Sequence, residues 1–141
     1  MKILTSFLIV FASSAAADHE LDARDLNKGR ELYVESCAAC HGPDLRGQPD
    51  WKIPNDEGIL PAPPHDRTGH TWHHDNALLF DYTKFGGSGT LALRGINDFK
   101  SGMPAFKNTL SDDDIWTILA YIKSTWPERE QQVQASRNPP H

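Results

Sequence analysis

Sulfur is scarce in this sequence, and long apolar runs are missing. The 141 residues include two cysteines and two methionines. The cysteines lie three positions apart, so a disulfide between them would close too small a loop to staple a domain. A zinc site would need further thiols, or paired histidines at finger-like spacing. The net charge of −5 lacks the basic footprint that non-specific nucleic-acid binding requires.

The first 17 residues have the pattern of a secretory signal peptide. Lys2 supplies the positive start, and an apolar run over 3–12 leads to three small residues at 15–17. That run is well short of the ~20 residues of a membrane-spanning helix. An uncleaved amphipathic anchor is the alternative. We therefore expect a soluble periplasmic protein with no membrane span, whose mature chain loses one lysine and no acid and so carries a charge of −6.

The central motif is Cys37-Ala38-Ala39-Cys40-His41. A C-x-x-C-H pentapeptide is the attachment signal for c-type haem, with both thiols bound to the porphyrin and the histidine bound to its iron. At the end of a helix, positions i and i+3 share one face, which suits adjacent edges of one ring system. A thioredoxin-like dithiol is the main alternative. It requires alternating strands and helices, and the sequence shows no convincing strand.

The first predicted helix spans Ala23 to Ala39 and delivers this motif to the interior. Asp22 and Asp25 suit a capping-box-like start. Gly42 and the proline after it end the helix. One apolar stripe follows the spacing of three and four residues: Leu26, Gly29, Tyr33 and Cys37.

Two further helices are predicted. One spans Asn76 to Phe85 and ends at Gly86-Gly87. The other begins at the capping box of Ser111 and Asp114 and ends at Pro127. The latter carries an amphipathic core face: Ile115, Ile118, Leu119 and Ile122.

The remaining segments are predicted to be irregular. Residues 42–74 and 86–110 form long loops, and a loop as long as the first needs something to fill its interior. A haem would do so. Residues 18–127 then form one domain, and the polar segment 128–141 is a disordered tail.

Met103 is the candidate for the second axial iron ligand. Met1 leaves with the signal peptide, so Met103 is the remaining thioether, 62 positions after His41. A thioether stabilises ferrous iron and raises the reduction potential. Gly102 and Pro104 flank it in a loop, where glycine permits close approach and proline fixes the backbone. The alternative is that Met103 fills a gap in the core.

Three stretches together resemble a bacterial monohaem class I cytochrome c. They are Gly29-x3-Tyr33-x3-Cys-Ala-Ala-Cys-His-Gly, Met-Pro-Ala-Phe, and Leu-Ser-Asp-Asp-Asp-Ile followed by Leu-Ala-Tyr-Ile-Lys-Ser. The similarity covers about residues 25–126. It implies an all-α cytochrome c fold, in which the N- and C-terminal helices cross around one covalently bound haem between long loops. Gly29 and Tyr33 would then contact Tyr121.

The histidine-rich segment 61–74 is longer than in compact members of that family, and the resemblance implies a role for one of its residues. The Pro63 carbonyl would accept a hydrogen bond from His41 Nδ1 and so orient the ring. Trp72 would donate its indole N–H to a haem propionate, or simply pack against the ring. Four nearby histidines are either solvated or form a second metal site: His65, His70, His73 and His74.

These residues predict a monomeric carrier of single electrons between transient redox partners, and not an enzyme. Cys37 and Cys40 would hold one haem c, and His41 with Met103 would be the two metal ligands. Two bound ligands leave no open position for a substrate. The alternatives are a subunit of a larger oxidoreductase, a sensor or catalytic haem protein whose Met103 is displaced, and a metal-binding function of the histidine loop.

Overall fold

The computed structural model describes residues 19–139, which form five α-helices. They are α1 (Leu26–Ser36), α2 (Ala38–His41), α3 (Asn76–Leu93), α4 (Asp112–Ser124) and α5 (Glu128–Ala135), with a 3₁₀ turn at Thr71–His73. Across the described range there is no β-strand, and the all-α cytochrome c fold is confirmed. The expected signal peptide at 1–17 lies outside the described residues. No helix among those described is long and apolar enough to span a bilayer.

The crossing of α1 and α4 organises the core. A Cβ on Gly29 would lie 2.5 Å from the Thr117 carbonyl oxygen and 2.8 Å from Tyr121 Cβ. Only glycine therefore permits this helix separation. One turn later, the fully buried Tyr33 ring lies 5.6 Å from that of Tyr121, at a tilt of 55°. The contacts that the resemblance implies are present.

The start of the first helix differs from the prediction. Helix α1 begins at Leu26, and Asp25 is its N-cap, with a carboxylate that accepts from the backbone N–H groups of Asn27 and Lys28. Ala23 instead has a positive φ of 54°. The first predicted turn fails to form because the Asp25 carboxylate occupies the donors that a longer helix would use.

Helix α4 begins as predicted, and its acidic first turn is paired with cations. Ser111 and Asp114 form the reciprocal capping box. Asp114 also pairs with Lys28 of α1 at 2.9 Å, and Asp112 with Lys84 of α3 at 2.8 Å. The carboxylates therefore complement the helix dipole and also bind α4 to its neighbours.

Helix α3 continues beyond the predicted end. Its first part ends at Phe85, and Gly86 then adopts φ 74° and ψ 164°, which is not helical. The chain re-enters helix and continues to Leu93, so the start of the predicted loop at 86–110 is wrong. A glycine that breaks one helical turn leaves the following residues free to resume it, and Thr90 Oγ1 donates to the Asp81 carbonyl across the break.

The C-terminal segment is folded where its composition predicts disorder. Residues 128–135 form α5, and Gln134 on this helix is completely buried. Its side-chain amide donates to Asn76 Oδ1 at 2.7 Å, and Asn138 Oδ1 accepts from the Asn76 backbone N–H at 2.8 Å. The prediction of a disordered tail from its polar composition is wrong, because amide side chains, rather than apolar ones, bind this segment to the start of α3.

Candidate functional site

The two cysteines lie at the junction of α1 and α2. Cys37 ends α1, and its carbonyl accepts from the backbone N–H groups of Cys40 at 3.2 Å and His41 at 3.0 Å. Both thiols are free, with Cys37 partly buried and Cys40 exposed. Burial raises the pKa of Cys37 to about 11, with a smaller contribution from Cys40. The short helix α2 and the residue before it thus present two thiols and one imidazole within a single turn.

His41 is held in one orientation by the chain that returns beneath it. The side chain is buried, and its Nδ1 lies 2.9 Å from the Pro63 carbonyl oxygen. This is the contact that the resemblance implies. Because a carbonyl can only accept, Nδ1 carries a proton, and in the neutral ring Nε2 then keeps its lone pair. Burial lowers the His41 pKa, and the Pro63 contact partly offsets that effect. The ring is therefore neutral and able to ligate a metal through Nε2.

His65 contacts the same imidazole from its face, which no sequence pattern predicts. The two rings are stacked, with centroids 3.9 Å apart and planes inclined by 25°. His65 Nδ1 lies 2.9 Å from Thr71 Oγ1. Burial, followed by the neighbouring His41 and His70, lowers the His65 pKa well below its ordinary value. The sequence gives one indication of this contact, which is that His65 lies two residues after Pro63.

The Met103 loop is attached to the break in α3. Gly87 N–H donates to the Met103 carbonyl at 3.3 Å, and Phe106 N–H donates to the Thr83 carbonyl at 3.1 Å. A Cβ on Gly86 would lie 2.9 Å from the Met103 carbonyl oxygen. The break therefore leaves the Gly87 N–H and the Thr83 carbonyl without a helical partner, and the loop bonds to both. The missing Cβ at Gly86 also leaves space for the loop backbone. Met103 itself is partly buried.

Hydrogen bonds to serine extend this attachment. The Ser101 hydroxyl accepts from the Met103 N–H at 3.1 Å. Ser88, on the second part of α3, accepts from the Ser101 N–H at 3.1 Å and donates to the Phe99 carbonyl at 3.1 Å. The loop that carries the thioether is thus bonded at residues 99, 101 and 103. The sequence predicts Met103 as a ligand and a helix end at the glycine pair. It does not predict that these two features are in contact.

The remaining candidates in the histidine-rich segment have protein partners. The Trp72 indole N–H donates to the Arg67 carbonyl at 3.2 Å, so a bond to a propionate would have to replace this contact. The His70 ring stacks on Trp51 with centroids 5.4 Å apart and meets His74 edge to face. Within residues 19–139, no three histidine, cysteine or acidic side chains are grouped as a metal site requires. The structure gives the second metal site no support.

The comparison with protein families agrees with this geometry. Residues 24–122 match the family model described as cytochrome c oxidase, cbb3-type, subunit III. The chain belongs to this cytochrome c family. The match includes the cysteine motif, the Pro63 loop, Met103 and nearly all of α4. The prediction of a c-type cytochrome is thereby confirmed, and haem-based electron transfer is the function that the family indicates.

One curated relative adds a second comparison. The chain is 30% identical over 138 aligned positions to a thiosulfate dehydrogenase of Stutzerimonas stutzeri (strain A1501). The alignment covers 88% of this chain but 39% of that protein. This cytochrome c domain therefore spans about two fifths of the relative it matches. No solved structure matches it significantly.

The residues present fit a c-type haem. Two free thiols three positions apart, one of them exposed, provide the atoms for covalent attachment. His41 Nε2 retains a lone pair because Nδ1 is committed to the Pro63 carbonyl. Met103 provides a soft thioether on an anchored loop. One imidazole nitrogen and one thioether sulfur are both donors that haem iron accepts.

Proposed function

We propose that this cytochrome c domain carries single electrons through one haem c bound to Cys37 and Cys40, with His41 and Met103 as its axial ligands. The observation that carries this is the hydrogen bond between His41 Nδ1 and the Pro63 carbonyl, which leaves Nε2 available on a buried, neutral ring. Bound there, haem c supplies a one-electron couple between ferric and ferrous iron.

The protein supports that couple by holding its ligands still. The Pro63 carbonyl fixes the His41 tautomer and makes the ring a better donor. The Tyr33 hydroxyl donates to the Gly42 carbonyl at 2.8 Å and fixes the residue after the motif. The Met103 loop is bonded to both parts of α3. If both ligands are held in place, the site needs little structural reorganisation when the iron changes oxidation state. Two bound ligands also leave no open coordination position on the iron for a substrate, which favours a carrier over an enzyme.

The setting that we propose for this carrier follows from the sequence. Cleavage after residue 17 would release a monomeric, soluble periplasmic protein with residues 18–127 as its cytochrome domain. The single C-x-x-C-H motif supports one haem. Its partners would be other redox proteins, met through a small and transient interface.

The deciding experiment is a mass and a spectrum of the protein purified from cells that attach haem c. The mass should exceed that of the polypeptide by one haem, and a haem stain should survive denaturing electrophoresis. The oxidised protein should show a methionine–iron charge-transfer band, and carbon monoxide should leave the reduced spectrum unchanged. The double variant Cys37→Ser/Cys40→Ser is the control and should lose the stain. A wild-type mass equal to the bare polypeptide would refute the proposal.

A second candidate rests on the curated relative. The similarity to a thiosulfate dehydrogenase that is much longer than this chain supports a role as the electron-accepting domain of a larger oxidoreductase. Thiosulfate should then reduce the purified cytochrome only when a separate catalytic partner is added. Reduction by thiosulfate alone would instead make this chain an enzyme, and would refute the carrier role.

A further inference from the structure

The face of His41 is covered by a second imidazole that the function described above does not use. The His65 ring lies nearly parallel to it within stacking distance, at 3.9 Å between centroids. Tyr33, fully buried, meets His65 edge to face at 6.3 Å. His41 is thus restrained in two directions: the Pro63 carbonyl holds its edge, and His65 covers its face.

His65 is itself anchored at three points. Its backbone N–H donates to the Leu45 carbonyl at 2.7 Å. Its carbonyl accepts from the Trp126 indole N–H, also at 2.7 Å. Its ring is bonded to Thr71 Oγ1 at 2.9 Å. The His65 backbone is therefore held by Leu45 and by Trp126, which follows α4, and its ring is held by Thr71 in the 3₁₀ turn.

We propose that His65 is a positioning residue for His41, which sets the plane of the ligand ring and keeps water from its face. An apolar side chain could fill the same space, whereas an imidazole that is partly buried, as His65 is, is unfavourable unless its polar atoms are bonded. The Thr71 contact bonds the ring at Nδ1 and fixes its rotation, which an aliphatic side chain could not do. This inference rests on the proposed function, since His41 must be an iron ligand.

Two properties of the holoprotein report this role. The pattern of paramagnetically shifted haem methyl protons in the oxidised state depends on the plane of the histidine ligand. The reduction potential depends on water and polarity around the ligands. In His65→Ala the methyl pattern should change, and the potential should fall because water near His41 stabilises the ferric form. His65→Phe keeps a flat ring at this position, so its methyl pattern and its reduction potential should both lie close to those of the wild type.

Two controls separate positioning from general destabilisation. Thr71→Val removes the anchor of the His65 ring and should shift the methyl pattern less than His65→Ala does. Gln134→Ala loosens α5 and should lower stability without changing the pattern. If His65→Ala fails to fold, His65→Phe and Thr71→Val carry the test: the proposal requires a small shift in both, and two wild-type patterns would refute it.

The two proposals fail in different ways. A His65→Ala holoprotein with wild-type methyl pattern and potential would refute the positioning role, while its covalent haem and methionine ligation left the carrier function intact. A wild-type protein without covalent haem would refute the carrier function itself, whatever the variants do.

Discussion

Gly86→Ala tests whether the break in α3 holds the Met103 loop in place. Gly86 has φ 74° and ψ 164°, a region that is essentially restricted to glycine and costs other residues about 1–3 kcal/mol. The new Cβ would also lie 2.9 Å from the Met103 carbonyl oxygen and 3.0 Å from the Pro104 carbonyl carbon. Both are backbone atoms that cannot swing aside, and overpacking of this kind costs about 1–3 kcal/mol.

The two contributions together predict a loss of about 2–6 kcal/mol of unfolding free energy. Urea unfolding of the holoprotein, followed by circular dichroism, measures it. Displacement of the loop should also loosen the thioether, so carbon monoxide should bind the reduced Gly86→Ala protein and not the wild type. This second measurement connects the backbone break to the proposed ligation.

Gly58→Ala and Gly89→Ala are matched controls. Gly58 has a φ of 78°, and among the described residues nothing lies within 4 Å of the point that an alanine methyl would occupy, so only the backbone cost of about 1–2 kcal/mol applies. Gly89 lies in the resumed helix, where its Cβ would be at an ordinary 3.5 Å from Phe85 Cβ, and alanine should stabilise by about 0.5–1 kcal/mol. A Gly86→Ala protein no less stable than Gly58→Ala, with unchanged ligation, would refute the reasoning.

Other substitutions test the remaining assignments. Met103→Ala should keep the covalent haem but lower its potential and admit carbon monoxide; an unchanged axial spectrum would show that another residue is the ligand. Gly29→Ala should cost about 1–3 kcal/mol in urea unfolding because its Cβ meets helix backbone, and wild-type stability would contradict the close crossing. Gln134→Ala should cost about 1–3 kcal/mol through lost buried hydrogen bonds, whereas a disordered tail would predict no change. The Ser111 hydroxyl and then Lys28 lower the pKa of Asp114 from 3.8 to about 2. Its stabilising contribution is therefore present above about pH 4 and lost as the pH falls towards 2, and Asp114→Asn should flatten the stability profile in that interval.

Local chemistry explains which parts of the fold the sequence predicts. The capping box at Ser111 needs only residues three apart, and the structure confirms it. The close crossing at Gly29 and Tyr33 came from resemblance to known proteins, because periodicity alone does not say which two stripes meet. The role of Met103 as a ligand remains a proposal, although the break at Gly86 shows how its loop is held.

The predictions fail where long-range polar contacts decide the structure. The tail folds because Gln134 and Asn138 bond to Asn76, about sixty positions earlier, and hydropathy cannot register such pairs. The stacking of His65 on His41 escaped prediction for the same reason, since it depends on how the proline-rich loop returns. Hydropathy describes burial of apolar surface, and here several decisive contacts are between amides, imidazoles and carbonyls.

The crossing of α1 and α4 also has a consequence for how the protein is made. It joins residues from the two ends of the domain, as the ion pair between Arg24 and Asp113, 89 positions apart, illustrates. Such distant pairings form late, because loop closure must come first. The crossing cannot form until α4 has been synthesised, so Cys37 and Cys40 lie until then in a chain that has not yet folded. If haem is attached to these thiols as proposed, the attaching enzyme would therefore act on a flexible peptide, before α1 and α4 have crossed.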